Sequence, residues 1–174
     1  MIISVNNMRV FITGFMGVGK SYWASRWAAK INYNLLDTDI EIEKISGLNI
    51  SAIFHLKGEK FFRELESKVL HSSTNSQNCI IATGGGCATY SDNFNFMKKN
   101  GIVVYLKASQ NFLFNRLVVE SDKRPLISNK SHSELKDYIT KTLSEREMIY
   151  NNADVVLDAE KVSDTSILEI LNYA

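Results

Sequence analysis

The chain predicts a single α/β domain in three layers: a five-stranded parallel sheet with helices on both faces. Three observations lead there. Short apolar runs alternate with longer segments of helical period, as strands and crossover helices do. The 174 residues suit one domain with a sizeable core. No repeat, low-complexity tract or linker divides residues 1–174.

In order along the chain, RVFITGF (9–15) reads as a buried strand, followed by a helix from about Lys20 to Lys30. Trp23 and Trp27 lie four apart on that helix and so share the face that packs on the sheet. NLLDTD (34–39) is the second strand, and EIEKISG begins a helix that stops at Gly47. SAIFHLKGEKFFRELESKVLHSS (51–73) is helical in period, with a break expected at Gly58. CIIATGGG (79–86) is the third strand and runs into three glycines. Glycine is costly in backbone entropy, so the triplet implies something that approaches this backbone closely. GIVVYLKA (101–108) is the fourth strand, and SQNFLFNRLVVE (109–120) is a helix. SDKRPLISNK (121–130) has loop composition and holds the only proline. The next helical segment, 131–153, opens with a Ser-x-x-Glu capping box from Ser131 to Glu134. DVVLDA (154–159) is the fifth strand, and a short helix closes the chain.

Composition narrows the function classes. Apolar residues make up 45% and charged residues 22%, a globular balance. Twenty Lys plus Arg against nineteen Asp plus Glu leave a formal charge of +1, without the basic excess of a nucleic-acid binder. No apolar run approaches the roughly 18 residues of a membrane span. MIISVNNMRVFITG has no signal-peptide pattern, so the expected location is the cytoplasm. Cys79 and Cys87 are expected to be buried, reduced thiols, and the three scattered histidines suggest no zinc site.

Gly14-Phe-Met-Gly-Val-Gly19-Lys20-Ser21 fits G-x-x-x-x-G-K-[ST] between a strand and a helix, the context that motif needs. Its glycines let successive N–H groups curl round phosphates at a helix N-terminus. Lys20 then reaches the β- and γ-phosphates and the Ser21 hydroxyl ligates Mg²⁺. The chain is expected to bind a nucleoside triphosphate, but GTPases, motor ATPases and small-molecule kinases share this loop. A metal carboxylate is not offered at the end of the third strand, which holds Thr83 and glycines. The candidates are Asp37 and Asp39, two apart at a strand end and so on one side of the sheet. One could hold magnesium through water and the other meet an acceptor hydroxyl.

Three arginines suit work on a small anion. Arg63 has Glu66 three residues on, a pair worth only a few tenths of a kcal/mol on a helix surface. Arg124 precedes Pro125, which biases it toward an extended backbone. Arg146 is flanked by Glu145 and Glu147.

Taken together, "GFMGVGKS", "LLDTD", "FRELE", "TGGG", "RPLI" and "ER…Y" resemble the shikimate kinases in order and approximate spacing, from about Arg9 to Asp158. The resemblance implies a P-loop kinase fold with a mobile lid at about 119–131 and an acceptor-binding region at about 39–66. It implies transfer of the γ-phosphoryl group of ATP to the 3-hydroxyl of shikimate, with Mg²⁺, by a monomer. Asp39 would bind the acceptor hydroxyls as the candidate base, with Lys20 and Arg124 as its catalytic partners, and Asp37 would hold Mg²⁺ through water. Arg63 and Arg146 would grip the shikimate carboxylate, with Glu66 orienting Arg63 and Phe54 and Phe62 beside the ring. Gly84, Gly85 and Gly86 would line the acceptor pocket and offer N–H to substrate. A side chain at Gly85 should therefore block acceptor binding and leave ATP binding nearly intact. The nucleotide would fall to Gly17, Val18, Gly19, Lys20, Ser21 and Tyr22, with Arg116 stacked on adenine and Arg124 closing as the lid arginine.

Two departures stand out. Tyr22 and Trp23 follow Ser21, where smaller residues are commoner in the family. "DAEKVSD" lacks the arginine-rich loop some members use around adenine, leaving Lys161 as a substitute. The alternatives are a gluconate or nucleoside monophosphate kinase, and a catalytically idle nucleotide-binding relative.

Overall fold

The computed structural model describes residues 8–121 and 124–173; the residues of the N-terminal signal-peptide reading before Met8, and Asp122 and Lys123 of the expected lid, lie outside them. Five strands form one parallel sheet: β1 (Arg9–Thr13), β2 (Asn34–Asp37), β3 (Cys79–Ala82), β4 (Ile102–Lys107) and β5 (Val155–Asp158). Their order is β2-β3-β1-β4-β5. Phe11 pairs with Ile81 of β3 on one side and Val103 of β4 on the other, so β1 is central. The chain leaves β1 toward one edge of the sheet and later returns to build the other. That reversal opens a crevice beyond the carboxyl ends of the central strands.

The helices are α1 (Lys20–Ile31), α2 (Thr38–Ser46), α3 (Ile50–Ser72), α4 (Asn93–Asn100), α5 (Gln110–Glu120), α6 (His132–Tyr150) and α7 (Ser166–Tyr173). Strand alternation sorts the core into two layers. Val10, Ile12, Ile80, Ala82, Val104 and Leu106 face Ala24 and Trp27 of α1, Leu117 of α5 and Ile167 of α7. Phe11, Ile81, Val103 and Tyr105 face Leu70 of α3, Met97 of α4 and Tyr150 of α6. A third apolar cluster, Ile42, Ile53, Phe62 and Val69, joins α2 to α3. The three-layer architecture is the one the alternating pattern predicts.

Several boundaries differ from the expectation, each for a local reason. The second strand stops at Asp37, whose side chain accepts from the N–H groups of Asp39 and Ile40 and so caps α2. Asp39 therefore lies in the first turn of a helix, and the expected pairing of two carboxylates along one strand is incorrect. The third strand ends at Ala82, before the glycines. Helix α4 was not anticipated: in NFNFMKKN only Asn93 and Met97 are buried, too few to write a helical stripe. The lid region is part helix, because α5 runs through Glu120. Gly58 does interrupt α3, with φ 81° and ψ 168°. The capping box forms, Ser131 N–H donating to Glu134 at 2.7 Å and Glu134 N–H to Ser131 at 3.3 Å.

Cys79 and Cys87 are free and buried. Trp27 is fully buried, stacks on Trp23 with centroids 5.7 Å apart, and donates its Nε1–H to the Ser163 carbonyl at 3.0 Å. Trp27→Ala removes the largest side chain between α1 and the sheet. It should cost about 3–5 kcal/mol in urea unfolding followed by circular dichroism.

Candidate active site

The loop between β1 and α1 bends back on itself through Gly17 (φ 78°) and Gly19 (φ 103°), left-handed conformations that a side chain would strain. Lys20 opens α1, and its ammonium donates to the carbonyls of Gly14 and Phe15, each at 2.9 Å. Burial is the main reason its pKa falls to about 8; Arg124 and Arg146 add to the fall, while Asp39 and Asp37 oppose it. A bound polyphosphate would restore the charge that burial disfavours. The cavity in front of this loop is lined by Gly17, Gly19, Ser21, Tyr22, Asp37 and Arg116, with Thr83 where a carboxylate is absent. Val18 differs from its neighbours: its side chain is core, so only its backbone can meet a nucleotide. Tyr22 is exposed beside Trp23, and Arg116 lies over the Phe112 ring. Lys161, the suggested substitute near the base, is exposed and pairs with Asp158.

A second cavity adjoins the first. Phe54 and Phe62 form one wall with ring centroids 4.7 Å apart, and Arg63 lies over the Phe62 ring. Pro125 and Leu126 close the top, held down by the fully buried Ile127. Asp39, Met16, Gly84, Gly85 and Arg124 line both cavities and so form their junction. The Asp39 carboxyl opens onto this space while protein crowds its other sides. Desolvation, then the negative charge of Asp37, raises its pKa; Lys20, Arg124 and Arg63 oppose the rise. That is the direction a proton acceptor needs.

The triplet's reason is structural first. A Cβ at Gly84 would lie 1.9 Å from Glu66 Oε1, one at Gly85 would lie 2.8 Å from the Met16 amide nitrogen, and one at Gly86 would lie 2.7 Å from the Arg63 guanidinium. The glycines face the cavity with their peptides, but their missing side chains make room for the protein itself. The Gly84 N–H is already given to Thr38 Oγ1 at 3.0 Å, so that amide is not offered to a substrate. The expectation that a side chain at Gly85 would spare ATP binding is also overturned, since it would strike the backbone of the phosphate loop.

The three arginines are placed differently. Arg63 and Glu66 form no surface pair: Glu66 is fully buried and takes Arg63 Nη1 at 2.7 Å, while Glu59 takes Nε and Nη2 at 3.3 and 3.2 Å. Burial works against the Arg63 charge, but Glu66 and Glu59 hold it protonated. For Glu66 burial outweighs the Arg63 charge and pushes the carboxyl up to about 7. Its Oε1 has no hydrogen-bond partner among the described residues. Arg146 lies over the Phe15 ring and donates Nη1 to the Gly85 carbonyl at 2.6 Å, beside the triplet rather than in the cavity wall. Arg124 rests on Glu120 at 2.6 Å.

Among the described residues no three His, Cys, Asp or Glu side chains form a metal cage. Ser21 and Asp37 still suit magnesium. Both offer hard oxygens beside the phosphate loop, and Asp37 spends Oδ1 on its cap, leaving Oδ2 for a metal-bound water.

A phosphate loop after a central strand, joined through one carboxylate to a second cavity walled by an arginine and two aromatic rings, has the arrangement of a P-loop phosphotransferase acting on a small acceptor. The comparisons narrow this class. The shikimate kinase family model matches residues 16–174. The chain is 41% identical to the shikimate kinase of Flavobacterium johnsoniae over 169 residues, 94% of this chain and 98% of that protein. It is 35% identical to that of Bacteroides thetaiotaomicron over 157 residues, 90% of each. The crystal structure of the Bacteroides thetaiotaomicron shikimate kinase superposes with a TM-score of 0.87 at 32% identity, covering 95% of this chain and 98% of that one. Shikimate kinase from Acinetobacter baumannii in complex with shikimate gives 0.85 at 28% identity, covering 95% and 91%. The chain belongs to the shikimate kinase family, and it is an ATP-dependent kinase.

Three contributors escaped the sequence reading. Thr38, the middle residue of DTD, is fully buried and receives Gly84. Met16 sits at the junction, and Tyr150 donates to the Gly85 carbonyl. Each lies inside a quoted motif, Met16 in GFMGVGKS, Thr38 in LLDTD and Tyr150 in ER…Y, but spacing does not say what they contact.

Two outcomes are expected. Gly84→Ala forces the Glu66 carboxylate away from Arg63 and should destabilise the fold by about 1–3 kcal/mol in denaturant unfolding. Glu66 has a folded pKa above its unfolded value, so the fold takes up a proton, and this contribution to stability is complete below about 4.5 and lost as pH rises through about 7. The Tm advantage of the protein over Glu66→Gln should therefore shrink between about pH 5 and pH 8 in calorimetry. A constant difference would contradict the assignment.

Proposed function

We propose that the chain transfers the γ-phosphoryl group of ATP to the 3-hydroxyl of shikimate, giving shikimate 3-phosphate and ADP on the route to chorismate and the aromatic amino acids. The observation that carries this is the junction: Asp39 lies where the phosphate-loop cavity meets a cavity walled by Arg63 and an aromatic pair. Asp39 takes the proton of the attacking hydroxyl as the O–P bond forms and the bond to ADP breaks. Lys20 and Arg124 meet the charge that develops on the transferring group, and the backbone of Gly17 to Ser21 holds the phosphates. When bound, magnesium neutralises the β- and γ-phosphates; Ser21 and, through water, Asp37 would hold it.

The acceptor's carboxylate is met by Arg63 and Arg146, its ring by Phe54 and Phe62, and its edge by the peptides of Gly85 and Gly86. Glu66 holds Arg63 in place. Arg116 takes the adenine face, with Tyr22 at the rim. The segment after Glu120 acts as the lid, bringing Arg124 from Glu120 onto the nucleotide and excluding water. The chain works as a monomer in the cytoplasm; both cavities are completed by one chain, and its two cysteines are free thiols.

A coupled ADP-release assay should show turnover that requires ATP and shikimate together, with gluconate and nucleoside monophosphates inactive; no turnover with shikimate would falsify the proposal. Arg63→Ala removes a charge-assisted contact and should raise the shikimate KM by about 10- to 100-fold, with the ATP KM little changed. Asp39→Asn should lower kcat by about 10²- to 10⁴-fold and leave nucleotide affinity intact.

A further inference from the structure

Helix α6 carries Arg146 and Tyr150 four residues apart, hence on one face. Both donate to one atom, the Gly85 carbonyl oxygen: Arg146 Nη1 at 2.6 Å and Tyr150 Oη at 2.5 Å. A carbonyl has two lone pairs, and both are taken. The other side of Gly85 is pressed against the Met16 amide of the phosphate loop, so this peptide is held between the two substrate cavities. Tyr150 is fully buried and packs on Tyr105 with ring centroids 5.0 Å apart. The Tyr105 hydroxyl is turned elsewhere, to Glu147 at 2.9 Å.

The proposed function asks Arg146 to grip a carboxylate, yet in the free protein its guanidinium is engaged by a backbone carbonyl. If Arg146 were the only donor, turning it to a substrate would strip that part-buried carbonyl and weaken binding. Two donors on one oxygen remove the conflict. We infer that Tyr150 is a positioning residue that keeps the Gly85 carbonyl satisfied, so that Arg146 is released to the acceptor's carboxylate and the triplet stays in place. This rests on the carboxylate role proposed for Arg146.

The experiment is a double-mutant cycle read in steady-state kinetics, with shikimate varied at saturating ATP. Arg146→Ala alone should raise the shikimate KM at least about tenfold, the cost of one charge-assisted contact. Tyr150→Phe should raise it about five- to tenfold, with kcat and the ATP KM within about twofold. In the Arg146→Ala background Tyr150→Phe should add less than about twofold, because no arginine is left to release. Tyr105→Phe trims the same aromatic pair without touching Gly85 and should leave the shikimate KM unchanged. An unchanged shikimate KM in Tyr150→Phe, or the same effect with and without Arg146, overturns the inference and leaves the proposed function standing. An unchanged KM in Arg146→Ala overturns the carboxylate role itself, and the inference with it. Should Tyr150→Phe not fold, 3-fluorotyrosine at position 150 keeps the shape and strengthens the donor; the shikimate KM should fall, and an unchanged value again overturns the inference.

Discussion

The close approach of three elements to the peptides of Gly84, Gly85 and Gly86 is the constraint on which the site depends. The carboxylate of Glu66, the backbone of the phosphate loop at Met16 and the guanidinium of Arg63 each occupy the space where a Cβ would stand. Only because the glycines carry no Cβ there can the phosphate-loop cavity and its neighbour share a wall, with Asp39 at the seam. Phosphoryl transfer asks a protein mainly for alignment of donor and acceptor. In the proposed reaction a shared wall would supply that alignment.

Charge is balanced within the same space. Lys20, Arg63, Arg124 and Arg146 surround Asp37, Asp39 and Glu66, and burial works against the ionised forms of Lys20, Arg63 and Glu66. Lys20 falls and Glu66 rises mainly for this reason. The chain holds its cations on partners of its own: Lys20 on two carbonyls, Arg63 on two glutamates, Arg124 on Glu120 and Arg146 on Gly85. Under the proposed function, a substrate bringing phosphates and a carboxylate would exchange these internal partners for its own oxygens, so that no bare buried charge is carried between turnovers.

Legibility varied with how local each cause was. The phosphate loop could be read outright, because its glycines, Lys20 and Ser21 act over eight consecutive residues. The Gly58 break and the Ser131 cap are equally local and were readable. Helix α4 was not, since only Asn93 and Met97 of its eight residues are buried. The end of β2 was misplaced because a strand and a helix cap compete for Asp37, and the cap, with two N–H groups on one oxygen, decides it. Arg63 and Glu66 looked like a weak surface pair, because spacing alone does not report that α3 turns that face inward. Tyr150 was invisible as a partner of Gly85, 65 residues away.

By itself the sequence determined the α/β class, the phosphate site and, through the joint pattern of DTD, FRELE, TGGG, RPLI and ER…Y, the family. Those features are written in residue types at short spacing. Only the tertiary structure decided what the glycines make room for, which face of α3 is buried, and where Arg146 rests. Those depend on packing between segments distant in the chain, where a hydrogen bond or a clash is set by the fold and no short stretch of sequence contains both partners.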